Sequence, residues 1–158
     1  MALQLAGVER VSSAAIVGAG GTAAAAAVAL ASLGAQHLDV VVREPARAAG
    51  LLRVLDVLGV DRSVTRPAEA DLDVPLVVSS VPIDAQHDLL DLGWHAGQTV
   101  LDVLYAPWPT PLAERVISAG GTVVSGLEVL FWQATVQVEL MTGHPAPIAA
   151  MRAALDAC

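Results

Sequence analysis

Apolar positions in this chain fall into short unbroken runs, separated by longer segments of helix-forming residues. Residues 13–17 (SAAIV) form the first run; Gly18, Gly20 and Gly21 punctuate it, and 22–33 follows as an Ala-rich segment of high helix propensity that Gly34 closes. A second β-branched run, 38–42, predicts a buried strand, and Pro45 stands where the first turn of a helix tolerates proline, with that helix reaching about Leu58 ahead of Gly59. The pattern predicts further strands near 63–65 and over 76–80, 99–104 and 122–125. Helices are predicted over 85–90, 111–119, 127–141 and, after GHPAP, 148–156. Strand alternating with helix implies right-handed crossovers, and so an α/β fold: a three-layer, doubly wound parallel sheet in a single domain.

The stretch AAIVGAGGTAAAAAVALASLGA, from Ala14, carries no charge and is long enough to be weighed as a membrane span. The glycines interrupt it and alanine is only weakly apolar, so a strand, a turn and a helix are the expected outcome. GAGGTA then follows a strand and opens a helix, and Gly18, Gly20 and Ala23 fill the pattern G-x-G-x-x-A. In that Rossmann-type context the first glycine makes the tight turn. The second lets the backbone approach a pyrophosphate, and the third small residue lets helix and strand pack closely. The helix N-terminus adds free N–H groups and the positive end of a dipole. A dinucleotide held there would set its adenosine ribose beside VREPAR at the end of the second strand. Arg43 and Arg47 suit the 2′-phosphate of NADP, whereas Glu44 would suit the free ribose of NAD. NADP is expected, with NAD possible.

Composition narrows the picture. The 158 residues, 55% of them hydrophobic and 3% aromatic, suffice for one core packed by Val, Leu, Ile and Ala. A net charge of −8 and a pI near 4.7 argue against nucleic acid or an anionic membrane as partners. Every one of the eight basic residues is Arg, so no step that needs a lysine amine is available within the chain. The lone Cys158 allows no internal disulfide, and His37, His87, His95 and His144 lack ligand spacing, so no metal is expected. MALQLAGVER has no features of a signal peptide, and a cytoplasmic location is expected.

Four segments, in order and with matching spacing, resemble the nucleotide-binding half of the shikimate dehydrogenase family. That family carries a GAGG-x-A turn, an Asn-Arg-Thr-x-x-Arg-like segment, D-x-x-Y-x-P-x-x-TP-L, and a G-x-x-M-L-x-x-Q helix ending near TG. Here they read GAGGTA, VREPAR, DVLYAPWPTPL and GLEVLFWQATVQVELMTG. The resemblance implies a pyrophosphate turn of Gly18, Ala19, Gly20, Gly21 and Thr22, with Arg43 and Arg47 on the 2′-phosphate and Val103 and Gly126 flanking the nicotinamide. It puts Tyr105 and Gln133 on the substrate side, facing shikimate or 3-dehydroshikimate. Asp102 is read as structural, holding the Tyr105 loop through backbone N–H groups.

The resemblance further implies reversible hydride transfer between NADPH and 3-dehydroshikimate, assisted by a Lys with an Asp partner on a preceding substrate domain. This chain has no Lys, so no catalytic residue is assigned within it, and residues 1–12 are expected to be the end of an interdomain helix ahead of an NAD(P)-binding domain at 13–158. Val42, Glu44, the stretch SSVP and Val129 depart from the family pattern, which bears on cofactor and ring packing more than on fold. Two alternatives stand beside this one: a free-standing NAD(P)-binding module without catalysis, and the nucleotide domain of another two-domain oxidoreductase.

Overall fold

The apolar runs fold as strands of one parallel sheet, and the Ala- and Leu-rich segments lie on its two faces. The structure, a computed structural model, describes residues 2–157 except for the side chain of Leu5; Met1 and Cys158, on which the expectations about the chain start and the lone thiol fall, lie outside the described residues. In chain order the elements are α1 (Ala2–Leu5), β1 (Ser13–Val17), α2 (Gly21–Ser32), β2 (His37–Val41), α3 (Ala49–Leu58) and β3 (Asp61–Thr65). They continue with β4 (Leu76–Ser79), β5 (Thr99–Asp102), α4 (Pro111–Ser118), β6 (Thr122–Ser125), α5 (Gly126–Thr142) and α6 (Ile148–Asp156). Strand order is β3-β2-β1-β4-β5-β6 with every pairing parallel, a Rossmann-type doubly wound sheet. The order reverses between β1 and β4, so their C-terminal ends open a crevice.

Both faces of the inner strands are buried, which is why their sequences read as continuous apolar runs and not as alternation. On one face Ala14, Ile16, Leu38, Val40 and Val78 pack against Ala23, Ala27 and Leu30 of α2 and Leu51 and Leu55 of α3. Alanine at 23 and 27, fully buried, lets α2 approach the sheet closely. On the other face Ala15, Val17, Val77 and Val100 meet Leu89, Trp94 and the α4 residues Leu112 and Val116.

Several boundaries differ from the sequence pattern for physical reasons. The helix expected over 85–90 is a pair of 3-10 turns, Ile83–Ala85 and His87–Leu89; so short a segment satisfies its N–H groups by i→i+3 bonds without completing an α-helix. The strand expected over 99–104 stops at Asp102, whose own carboxylate takes the Leu104 N–H and turns the chain. The segment after Pro45 starts as a 3-10 turn, Pro45–Ala48, before α3. Of the expected interdomain helix at 1–12, Ala2–Leu5 is helical; α1 packs against α5 and buries Leu3. The charge-free stretch divides into β1, a turn and α2, and no helix among the described residues is long and apolar enough to cross a membrane.

Candidate functional site

The turn after β1 needs glycine at its first position for two reasons. Gly18 has φ +104°, where L side chains are strained, and a Cβ there would lie 2.5 Å from Ser80 Oγ. Its N–H donates to Val41 O at 2.9 Å, which ties the turn to the end of β2. Gly20, the N-cap of α2, differs in kind: φ −81° and ψ −171° suit any residue, and a Cβ there would meet nothing within 4 Å. Its missing side chain leaves open space in front of a helix N-terminus that has no side-chain cap and no acid in its first turn.

That space is a cleft of about 610 Å³ at the β1/β4 reversal. Gly18, Ala19 and Gly20 line one part of it, and Val42, Arg43, Glu44 and Arg47 another. Gly21 and Thr22, the exposed first residues of α2, stand beside the cleft and are not in its lining. Arg47 Nε pairs with Glu44 Oε2 at 2.9 Å, both side chains well exposed, while Arg43 has no ion-pair partner among the described residues. Glu44, the residue that favoured a free ribose, therefore has its carboxylate engaged by a neighbouring arginine. Val17 and Val41 floor it at the strand ends, and Pro67, Ser80, Val81, Pro82, Ala85 and Leu89 complete the walls. Ser80, Val81 and Pro82 fall in the SSVP stretch, whereas no local pattern marks Pro67, Ala85 or Leu89; the crossovers that follow β3 and β4 bring them there.

The remaining candidates lie outside this cleft. Val103 and Gly126 meet through their backbones: a Cβ on Gly126 would collide with the Val103 carbonyl, and the Gly126 N–H donates to Leu104 O at 3.1 Å. Tyr105 is half exposed on the loop after β5. Gln133 is exposed on α5, so the internal hydrogen-bond partner that burial would require is not required here.

Asp102 takes the structural place expected of it, and more. It is fully buried; Oδ1 accepts from the Leu104 N–H at 3.2 Å, and Oδ2 accepts from Gln86 Nε2 at 2.7 Å and Thr110 Oγ1 at 2.6 Å. Thr110 was legible as a cap, since Thr followed by Pro is a helix-start signature, and its hydroxyl does accept the Ala113 N–H. Gln86 carried no such signal. At the far end of β2, His37 faces two carboxylates, with Nδ1 3.2 Å from Asp61 and Nε2 3.2 Å from Asp39. Burial pushes its pKa down, but the hydrogen bonds and charges of Asp61 and Asp39 outweigh it, and the net shift is upward. Among the described residues no group of three or more His, Cys, Asp or Glu is arranged to hold a metal ion.

The family model described as the shikimate 5′-dehydrogenase C-terminal domain matches residues 126–155, which are α5 and most of α6. A shikimate dehydrogenase (NADP(+)) of Anaeromyxobacter sp. (strain K) is 41% identical over 163 residues, covering 98% of this chain and 58% of that protein. The crystal structure of a shikimate 5-dehydrogenase from Mycobacterium fortuitum superposes with a TM-score of 0.79 at 39% identity, over 93% of this chain and 57% of that one. A shikimate dehydrogenase crystallised in complex with NADP+ gives a TM-score of 0.77 at 25% identity, over 98% and 57%. The chain thus spans a little more than half the length of the curated relatives it matches. Sequence similarity to shikimate dehydrogenases runs through nearly all of this chain, with the same sheet beneath it.

Proposed function

We propose that this chain is the nucleotide-binding half of a shikimate dehydrogenase, the oxidoreductase that reversibly transfers hydride between NADPH and 3-dehydroshikimate. The observation that carries the proposal is the cleft itself, with an open, uncapped helix N-terminus behind Gly18–Gly20 and the two arginines Arg43 and Arg47 on its other side. A pyrophosphate fits the first, where Gly20 carries no side chain in front of the helix N-terminus, and a ribose 2′-phosphate fits the second. The engaged Glu44 supports NADP over NAD. NADPH, when bound, supplies the hydride. The chain's own residues would orient it: the Gly18–Gly20 turn would hold the diphosphate, and Val103 and Gly126, whose backbones meet, would flank the nicotinamide.

Residues 13–158 are then the NAD(P)-binding domain, with 1–12 belonging to the connection toward a substrate domain that carries the catalytic lysine. The exposed face of α5 supports that arrangement. α5 carries Gln133 with Leu130 one turn before it and Leu140 and Met141 two turns after it, the last two 81% and 85% exposed, an apolar surface suited to cover by the part of the relatives this chain does not span. Shikimate would lie between that domain and Tyr105 and Gln133. A cytoplasmic setting accords with a reduced nicotinamide cofactor.

Calorimetry on the chain tests the reading. NADP is expected to bind about tenfold to a hundredfold more tightly than NAD, as a charge-assisted hydrogen bond to the 2′-phosphate allows, and Arg43→Ala is expected to erase most of the difference. Equal affinities would reassign the ribose to Glu44. Absence of binding by either nucleotide would overturn the proposal.

A further inference from the structure

Four polar side chains, Ser79, Gln86, Asp102 and Thr110, are fully buried below the C-terminal ends of β4 and β5. Asp102 is the centre of the group; it is fully buried and is not one of the residues that line the cleft. What it joins is informative. Gln86 lies between the two 3-10 turns: its N–H donates to Ile83 O and its carbonyl accepts from Leu89 N–H, so its placement sets that of Ala85 and Leu89, which line the cleft. Its side chain donates to Asp102 Oδ2 and accepts the Leu112 N–H at 3.3 Å. Thr110 binds the same oxygen of Asp102 and caps α4. The other oxygen, Oδ1, holds the Leu104 N–H, one residue before Tyr105.

Only a carboxylate serves all of these donors. Both oxygens accept, whereas an amide in either orientation would place its NH₂ against the Leu104 N–H or the Gln86 amide. Burying a carboxylate this completely is costly unless several donors compensate it, and each of these donors belongs to a different segment of the chain.

We propose that Asp102 is a positioning residue that couples the nucleotide-facing wall at Pro82–Leu89 to the Tyr105 loop, so that occupancy of the cleft is felt at Tyr105. The inference rests on the cleft being a nucleotide site. It goes beyond that site by assigning the link between the cofactor wall and the substrate-side loop to one buried carboxylate.

Tyr105 is the only tyrosine of the chain, so incorporation of 3-fluorotyrosine gives a single ¹⁹F resonance on this loop. Adenosine 2′,5′-bisphosphate, which has no nicotinamide to touch Tyr105, is titrated into the labelled chain. The resonance is expected to shift on binding in the native chain and in Thr110→Ser, which keeps the hydroxyl. In Asp102→Asn and Thr110→Val the fragment is expected to bind by calorimetry without moving Tyr105. A silent Tyr105 in the native chain despite binding, or a shift that persists in Asp102→Asn, would overturn the coupling.

A second measurement needs no ligand and does not depend on Asp102→Asn folding. Gln86→Met removes the donor from the cofactor wall but leaves Asp102 and Leu104 untouched. Amide hydrogen exchange at Leu104 is expected to accelerate about tenfold or more relative to Val78 in β4, the consequence of weakening a hydrogen-bond network around a charge. Unchanged exchange at Leu104 sinks the proposal. If the bisphosphate fails to bind the native chain, the nucleotide reading is what fails, and the exchange experiment still decides whether the carboxylate links the two segments.

Discussion

Two glycines of one turn illustrate how identical residues serve different ends. Gly18 is required by the chain itself, through positive φ and contact with Ser80, whereas Gly20 has ordinary dihedrals and nothing near its absent Cβ. Gly18→Ala is therefore expected to lower stability by about 1 to 3 kcal/mol in urea unfolding, the usual cost of such a backbone conformation in a non-glycine residue. Gly20→Val is expected to leave the unfolding midpoint nearly unchanged while abolishing nucleotide binding by calorimetry. Unfolding of Gly20→Val, or normal binding by it, would assign the turn to packing alone. His37 provides a pH-dependent counterpart. Its pKa in the folded chain lies above the ordinary 6.5, so the folded state holds its proton more tightly; the stability this adds is complete below that value and is lost as pH rises through the folded pKa. Thermal midpoints measured across about pH 6 to 8 should fall more steeply in the native chain than in His37→Gln. Parallel curves would show that the Asp39 and Asp61 contacts do not act on stability.

At the scale of elements, α6 is held in an unusual way. None of its residues is buried; Arg152 grips Glu128 of α5 by two hydrogen bonds of 2.7 and 2.8 Å, and its guanidinium lies 3.8 Å from the centre of the Phe131 ring. Removing the side chain that makes these contacts is expected to loosen α6 from α5. Limited proteolysis of Arg152→Ala should cut within 143–147 faster than in the native chain, with the midpoint of global unfolding little changed. Equal cleavage rates would show that other contacts retain α6. Element boundaries followed the sequence closely where apolar pattern and punctuation agreed, as at β6 and α6, whose ranges match the expectation. They departed where a side chain redirected the backbone. Asp102 ended β5 early by taking the Leu104 N–H on its own carboxylate, and the short segment around Gln86 closed as 3-10 turns through its i→i+3 bonds.

For the whole molecule, the lysine-free chain is expected to bind NADP yet to show no shikimate oxidation above background, followed as NADPH formation by the repeatedly purified protein. Loss of general acid–base assistance alone costs about 10² to 10⁴ in rate, and any loss of substrate orientation would remove more. Turnover that tracks the protein peak and disappears in Gln133→Ala would place the catalytic groups inside this sequence. By itself the sequence determined the alternation of buried strands and helices, the glycine turn between β1 and α2, and the arginines at the end of β2. These are local properties, set by propensity, by burial on both sheet faces and by the steric needs of one turn. The reversal of strand order between β1 and β4 was decided only in three dimensions, and with it the cleft wall at Pro67 and 80–89. So were the exposure of Gln133 and the burial of Gln86 against Asp102. Each of these depends on which segments the packed sheet brings side by side, and hydrogen bonds between residues 16 or more positions apart leave no periodic trace along a chain.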